Sequence, residues 1–424
     1  MSWSSVNLGE LETRGELIFR NGFSSGEHEK DGDGVPHLRP FNVTDDCRVT
    51  LATVKTIATR DRLEGYSLRP GDVLFNNTNS EDLVGKCAPW YRADGTFVLS
   101  NHMTIIRMLG GETLDPGFLA FWLFWNWRFG SASTLVRRHV NQASIGLDRL
   151  RSLSVPRPPT DHQRAIAEVL SKVQSAVEAQ EKIVAGLREL KAVTMAKLFR
   201  EGLRGERRKQ TEIGEIPRSW ETRPLSACAV VQTGIAKGRK VEGGDSAELP
   251  YLRVANVQDG YLDLSEIKTI VIRSDEVQRY LLQAGDVLLT EGGDFDKLGR
   301  GYIWKGQIAD CVHQNHIFAV RTDEQVLLPE FFAYQAQSPY GKTYFLKVAH
   351  KTTNLACINS SKLKEFPVLL PDLKEQRQIA HVLESIAAKA DIELQRLGRL
   401  RSLFSSTLHL LMTGQVRVAV GKGA

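Results

Sequence analysis

DHQRAIAEVL (Asp161–Leu170) and KEQRQIAHVL (Lys374–Leu383) stand 213 residues apart in one chain of 424. Each follows a proline-containing stretch, PRPP (157 in its second place) and LLPD, and each opens a long run with helical apolar spacing. Self-similarity of this kind organises a whole fold, so its extent decides the reading. It reaches far upstream. PHLRPFNV (Pro36–Val43) matches PYLRVANV (Pro250–Val257), and RPGDVLF (Arg69–Phe75) matches QAGDVLL (Gln283–Leu289). NHMTIIR (Asn101–Arg107) pairs with NHIFAVR (Asn315–Arg321), DPGFLAF (Asp115–Phe121) with LPEFFAY (Leu328–Tyr334), and Asn141 with Asn354. The offset stays at 213 or 214 for most pairs, so the halves share one fold with few insertions.

Short alternating runs such as VTLATVKTIAT and LDLSEIKTIVI read as strands, and GDVL reads as a turn entering another strand. PGFLAFWLFWNWRF and PEFFAYQAQSPYGKTYF read as helices with proline in the first turn. The result is an α+β domain of roughly 150 residues. The aromatic group Phe121, Trp122, Phe124, Trp125 and Trp127 suits a buried helix face better than a platform for bases.

Apolar residues at Ile166, Val169, Val173, Ala176, Ile183, Leu187 and Leu190, interrupted by Gln180, fit a coiled-coil seam. The second helix carries a broader stripe from Ile379 through Leu383, Leu397 and Phe404 to Leu411. About 39 residues without a breaker make a rod of roughly 58 Å. An antiparallel pair of such rods would separate two similar globular domains, giving a pseudo-twofold dumbbell. The expected division is a first globular domain over 1–158, a helix over 159–201, a basic surface linker over 202–220, a second globular domain over 221–371, a helix over 372–413 and a tail over 414–424.

No apolar run is long enough to span a bilayer and the N-terminus lacks signal-peptide order, which points to the cytoplasm. The five scattered cysteines, without Cys-x-x-Cys, indicate neither a disulfide framework nor a zinc knuckle. Catalytic signatures are missing. RPPT (Arg157–Thr160) lacks the Asp or Asn and the aromatic that flank Pro-Pro in amino-methyltransferases, and no phosphate-binding glycine loop occurs in context. EHEKDGDG (Glu27–Gly34) imitates a calcium loop, but the required Glu falls on Pro40. Of Cys311, His313 and His316, only the last recurs, as His102, and both recurring histidines read as fold residues. The chain reads as non-catalytic, with no metal of its own.

Binding remains. A net charge of +5 permits nucleic acid, and two copies of a domain on a spacer suit two half-sites on a duplex. Positions shared by both copies, namely Arg39 and Arg253, Asn42 and Asn256, Gly71 and Gly285, Asp72 and Asp286, should serve the fold or phosphate contacts. Divergent positions should read bases. The candidate DNA-binding residues are Arg39, Asn42, Asn76, Asn77, Lys86, Arg92, Arg137 and Arg138 in the first copy. In the second they are Lys237, Arg239, Lys240, Arg253, Asn256, Lys297, Arg300, Lys305, Lys347 and Lys351.

Taken with PPTDHQRAIAEVL and PDLKEQRQIAHVL, LRPGDVLF and LQAGDVLL, and the helix ends MAKLFREG and LHLLMTGQVRV, the chain resembles the DNA specificity subunits of type I restriction-modification systems. His162 departs from the Glu usual before that Gln, and should alter a helix-start contact. The resemblance implies that each domain reads one half of an asymmetric bipartite site on double-stranded DNA. It also implies docking of two methyltransferase (modification) subunits and of restriction/translocase subunits. S-adenosylmethionine, ATP and Mg would belong to those partners, together with adenine methylation and ATP-dependent cleavage. The residues alone leave open a single-chain restriction or methylation enzyme, or a coiled-coil adaptor that reads no DNA.

Overall fold

The computed structural model describes residues 3–24, 34–58, 63, 65–110, 114–130, 132–238, 245–293, 298–351 and 356–419. The chain divides into two compact units, residues 1–181 with 395–424, and residues 182–394.

In the first unit a four-stranded antiparallel sheet runs in the order Leu17–Asn21, Met103–Met108, Asp72–Asn76, Cys87–Trp90. Asp72–Asn76 is an interior strand and every residue in it is buried. A second sheet is ordered Lys55–Ile57, Val35–Leu38, Val98–Leu99, with its last pair parallel. A third joins the hairpin Arg137–Arg138 and Ala143–Ser144 to Thr78–Asn79. The helix Pro116–Phe129 begins where Asp115 accepts from the Phe118 amide, and its Phe118, Phe121 and Phe124 are fully buried in the core with Val73 and Ile106. Those rings are therefore core, whereas Trp125 and Trp127 are only partly buried.

The second unit repeats this plan. Its four-stranded sheet is Ala229–Thr233, Ile317–Thr322, Val287–Thr290, Gly301–Ile303, and its second sheet is Lys268–Arg273, Ser246–Leu252, Val312–His313. The third is His350–Lys351, Ala356–Cys357, Gly292–Gly293. The helical segment that follows is two helices, Pro329–Gln337 and Pro339–Val348, rather than the single one its composition suggests. Pro339 supplies no amide to continue the first, and Ser338 caps the second.

The GDVL turn recurs for a physical reason. Gly71 and Gly285 sit at φ +92° and +97°, where a side chain would be strained. The next residue, Asp72 or Asp286, is 1 % exposed and takes a fork of two bonds from an arginine on the neighbouring strand. Those bonds are 2.7 Å from Arg107 and 2.8 Å from Arg321.

The two long helices are Thr160–Glu201 and Leu373–Met412. The repeated Gln of the opening motif fastens each to its own domain. Gln163 donates to the Pro158 carbonyl and accepts from the Asp115 amide, while Gln376 donates to Pro371 and Val326 carbonyls and accepts from the Leu328 amide. Both glutamines are essentially buried. Neighbouring residues differ as their chemistry requires: Glu375 accepts from the Leu203 amide, whereas His162 faces Asp161 at 3.1 Å.

Each unit's core also takes the last turns of a long helix. Phe404, Leu408 and Leu411 join Ile166 and Leu170 in the first unit. Leu198 and Phe199 join Ile379 and Leu383 in the second, with Phe199 5.2 Å from the Phe331 ring. Hence the broad stripe of the second helix. The buried line of the first helix differs from the expected seam: Leu170, Val177 and Val184 are buried, while Ile183 and Leu190 are 46 % and 50 % exposed. Residues 202–220, expected as a surface linker, contain the hairpin Arg208–Gln210 with Glu215–Pro217. Ile216 and Trp220 are buried there, two isolated anchors that leave no periodic signal.

Candidate nucleic-acid interface

A cleft of about 650 Å³ opens on the first unit between the Arg39 to Phe41 turn, the Thr78 to Lys86 turn, the Ser100 to His102 turn and the 137–144 hairpin. Its polar lining includes Arg39, Asn79, Lys86, His102, Asn141 and Gln142. This is a surface of donors and amides, chemically suited to phosphates and base edges.

The frame of the cleft uses several residues expected at its face. Asn76 is fully buried and donates to the Leu83 carbonyl at 3.0 Å, because it ends an interior strand with no open side. Asn77 donates to Thr104 at 2.9 Å. Asn42 donates to the Thr50 and Thr53 carbonyls and accepts from the Arg39 amide, all at 2.9 Å. Asn256 repeats this with Asp263, Glu266 and Arg253. These four asparagines hold loops in shape and are not available to DNA. Lys86 reaches the cleft but is 7 % exposed and bonded to Asp45 at 2.6 Å, so its charge is largely answered within the protein.

Arg92 lies outside the cleft lining, exposed, paired with Asp94 and stacked near Phe97 at 5.6 Å. Arg137 and Arg138 are exposed on the hairpin, Arg138 reaching Glu81 at 2.5 Å. In the second unit Lys237 is exposed, and Arg253 meets Glu266 at 3.3 Å. Arg300 donates to Gln258 at 2.7 Å. Lys305 pairs with Glu384 on the second long helix at 3.0 Å and Lys347 with Glu212 at 3.1 Å. Arg239, Lys240, Lys297, the calcium-like stretch 27–33 and the Lys351 side chain lie outside the described residues.

The two recurring histidines are not core. His102 lines the cleft, and His316 is exposed with Nδ1 2.5 Å from Glu291, the residue that replaces Asn77. Among the described residues the buried histidines are His37 and His313. His313 donates from Nδ1 to the Ile317 carbonyl at 3.0 Å, and burial pushes its imidazole down to about 4. Burial likewise pushes the Cys311 thiol up to about 12. Among the described residues no group of three or more His, Cys, Asp or Glu is placed to hold a metal ion. No helix among them is long and apolar enough to cross a membrane.

Sequence reading singled out Asn79 but missed Val140 and Gln142 at the hairpin tip. The available signal was position: both flank Asn141, which recurs as Asn354, yet differ from their own counterparts Thr353 and Leu355.

One scaffold used twice, with shared residues such as Asn42 and Asp72 holding its frame and differing residues such as Asn79 and Gln142 among those around a cleft, is the plan of a tandem recognition protein. The profile of the type I restriction modification DNA specificity domain matches residues 26–188 and again 217–401, and the chain belongs to that family. The MjaX chain of Methanocaldococcus jannaschii, assigned as a type I restriction enzyme specificity subunit, is 25 % identical over 98 % of this chain and 97 % of its own. The EcoKI specificity subunit of Escherichia coli is 24 % identical over 83 % and 76 %. The crystal structure of the type I S subunit from M. genitalium superposes with a TM-score of 0.56 at 14 % identity, covering 97 % of this chain and 96 % of that one, which is a likeness of fold. The chain is a specificity subunit and not a catalytic one.

Proposed function

We propose that each unit reads one half of an asymmetric, bipartite sequence on double-stranded DNA, and that the long helices pack as an antiparallel coiled coil whose length sets the gap. The observation that carries this is the duplicated scaffold with different chemistry at equivalent places: Thr78 and Asn79 line the cleft of the first unit where the second has Gly292 and Gly293 in the same strand pairing. The Asn79 amide can both donate to and accept from a base edge, whereas a glycine presents only backbone, so the two units favour different base edges. In this reading the chain works in the cytoplasm and docks two methyltransferase subunits and, with them, restriction/translocase subunits. S-adenosylmethionine, ATP and Mg reside in those partners.

The test is modular. Replacing residues 1–150 by the equivalent domain of a relative should change one half of the recognised sequence and leave the other intact. Inserting one heptad into both long helices should change only the gap. A domain exchange that altered both halves would sink the reading.

A further inference from the structure

The 137–144 hairpin ends in an unusual group. Val140 is 100 % exposed, more than any other large apolar side chain among the described residues, the next being Val230 at 68 %. It occupies a two-residue turn closed by a bond from the His139 amide to the Gln142 carbonyl, 2.8 Å long. Below the turn the hairpin is anchored: Ala143 pairs with Asn79, and the Ile145 amide bonds to the Asn77 carbonyl. Scattered exposed apolar residues are ordinary on protein surfaces. This one sits among Arg137, Arg138, His139, Asn141 and Gln142, and turns favour Gly, Asn, Asp and Ser at such positions. Local structure does not ask for a valine there.

The other copy sharpens the point. His350 pairs with Cys357 in the register that joins Arg137 to Ser144, so the four residues 352–355, which lie outside the described residues, align in sequence with 139–142. Asn141 is kept as Asn354, whereas Val140 becomes Thr353 and Gln142 becomes Leu355. The constant residue suits a shared task, and the variable pair suits discrimination.

We propose that Val140 and Gln142 read one A·T base pair in the major groove, the Gln142 amide bridging adenine N6 and N7 and the Val140 methyls packing on the thymine C5 methyl. This rests on the DNA-reading function proposed above. A two-stranded ribbon fits the major groove, Gln pairs bidentately with adenine there, and only A·T presents an adenine edge and a methyl together. Arg137 and Arg138 bring the tip to the phosphates. Minor-groove insertion is the weaker fit, since no methyl faces that groove and wedges are usually larger side chains.

The experiment uses the full chain assembled with its methyltransferase subunits on its own recognised duplex. Each thymine is replaced in turn by deoxyuridine, which lacks only the methyl, and each adenine by 7-deazaadenine, which lacks N7. Losing one buried methyl should weaken binding about four-fold at a single thymine of the half read by the first unit. The deaza change at its paired adenine should weaken it about ten-fold. Val140→Ala should bind the natural site about four-fold more weakly and no longer distinguish uracil from thymine. Gln142→Ala should lose the deaza effect while keeping the uracil effect. Val140 is fully exposed, so folding should be unaffected, which a melting curve checks. Sequence-specific binding with no uracil effect, or an effect that survives Val140→Ala, overturns this assignment alone. Absence of any specific site overturns the DNA-reading function as well.

Discussion

The two units hold the same ion pair in different surroundings. Asp72 and Arg107 are 1 % and 9 % exposed, whereas in Asp286 and Arg321 the aspartate is equally buried and the arginine is 39 % exposed. Bond lengths are nearly the same, so the sequence identity of the copies fixes geometry while the neighbourhood fixes energy. Removing one partner of a fully buried pair strands a charge without water, a loss of about 3–5 kcal/mol. Asp72→Ala should destabilise the first unit by that much in chemical denaturation. Asp286→Ala should cost the second unit clearly less, because water reaches the Arg321 guanidinium. Equal losses would break the argument that exposure decides the difference.

A second contrast concerns acid. Leu38 pairs with Leu99 in the first unit where Leu252 pairs with His313 in the second. His313 has its folded-state value pushed from an ordinary 6.5 down to about 4, so the unfolded chain binds its proton first. Its neutral form costs nothing above pH 6.5, and the penalty grows as pH falls from 6.5 toward 4, reaching about 2 kcal/mol at pH 5. His313→Leu installs the first unit's residue and should flatten this loss between pH 7 and pH 5, seen in melting of the second unit. An unchanged pH slope would show that another group controls it.

These contrasts also show what the sequence could reveal. The repeat exposed the shared scaffold, the helices and the GDVL turns, because backbone needs such as a glycine at positive φ recur wherever the fold recurs. The repeated Gln163 and Gln376 were visible for the same reason, though their role as latches required the partners 48 residues upstream. Solvent direction was less legible. Asn76 and Asn77 look like groove-edge donors by type, yet interior position turned them inward, and Asn42 and Asn256 close loops instead of meeting DNA. The seam of the first helix shifted because apolar residues at 3-4 spacing fit two adjacent faces, and only packing selects Leu170, Val177 and Val184 over Ile183 and Leu190. Residue type suggests chemistry, but the side of the sheet or helix decides whether solvent sees it.

The smallest expected effect separates basic residues that the sequence treats alike. Arg137 and Lys237 are exposed, one on each unit, while Lys305 is bonded to Glu384 at 3.0 Å beside the second long helix. An exposed pair is worth at most about 1 kcal/mol, so it does not immobilise Lys305, but it does cancel its charge toward a distant phosphate. Arg137→Ala and Lys237→Ala should each weaken binding to all sequences alike and reduce the salt slope of the affinity by about one unit, with recognised bases unchanged. Lys305→Ala should leave that slope within error of the parent chain. A slope lost equally at Lys305 would mean that its contact with Glu384 opens on DNA, and that the basic surface of the second unit extends along the helix.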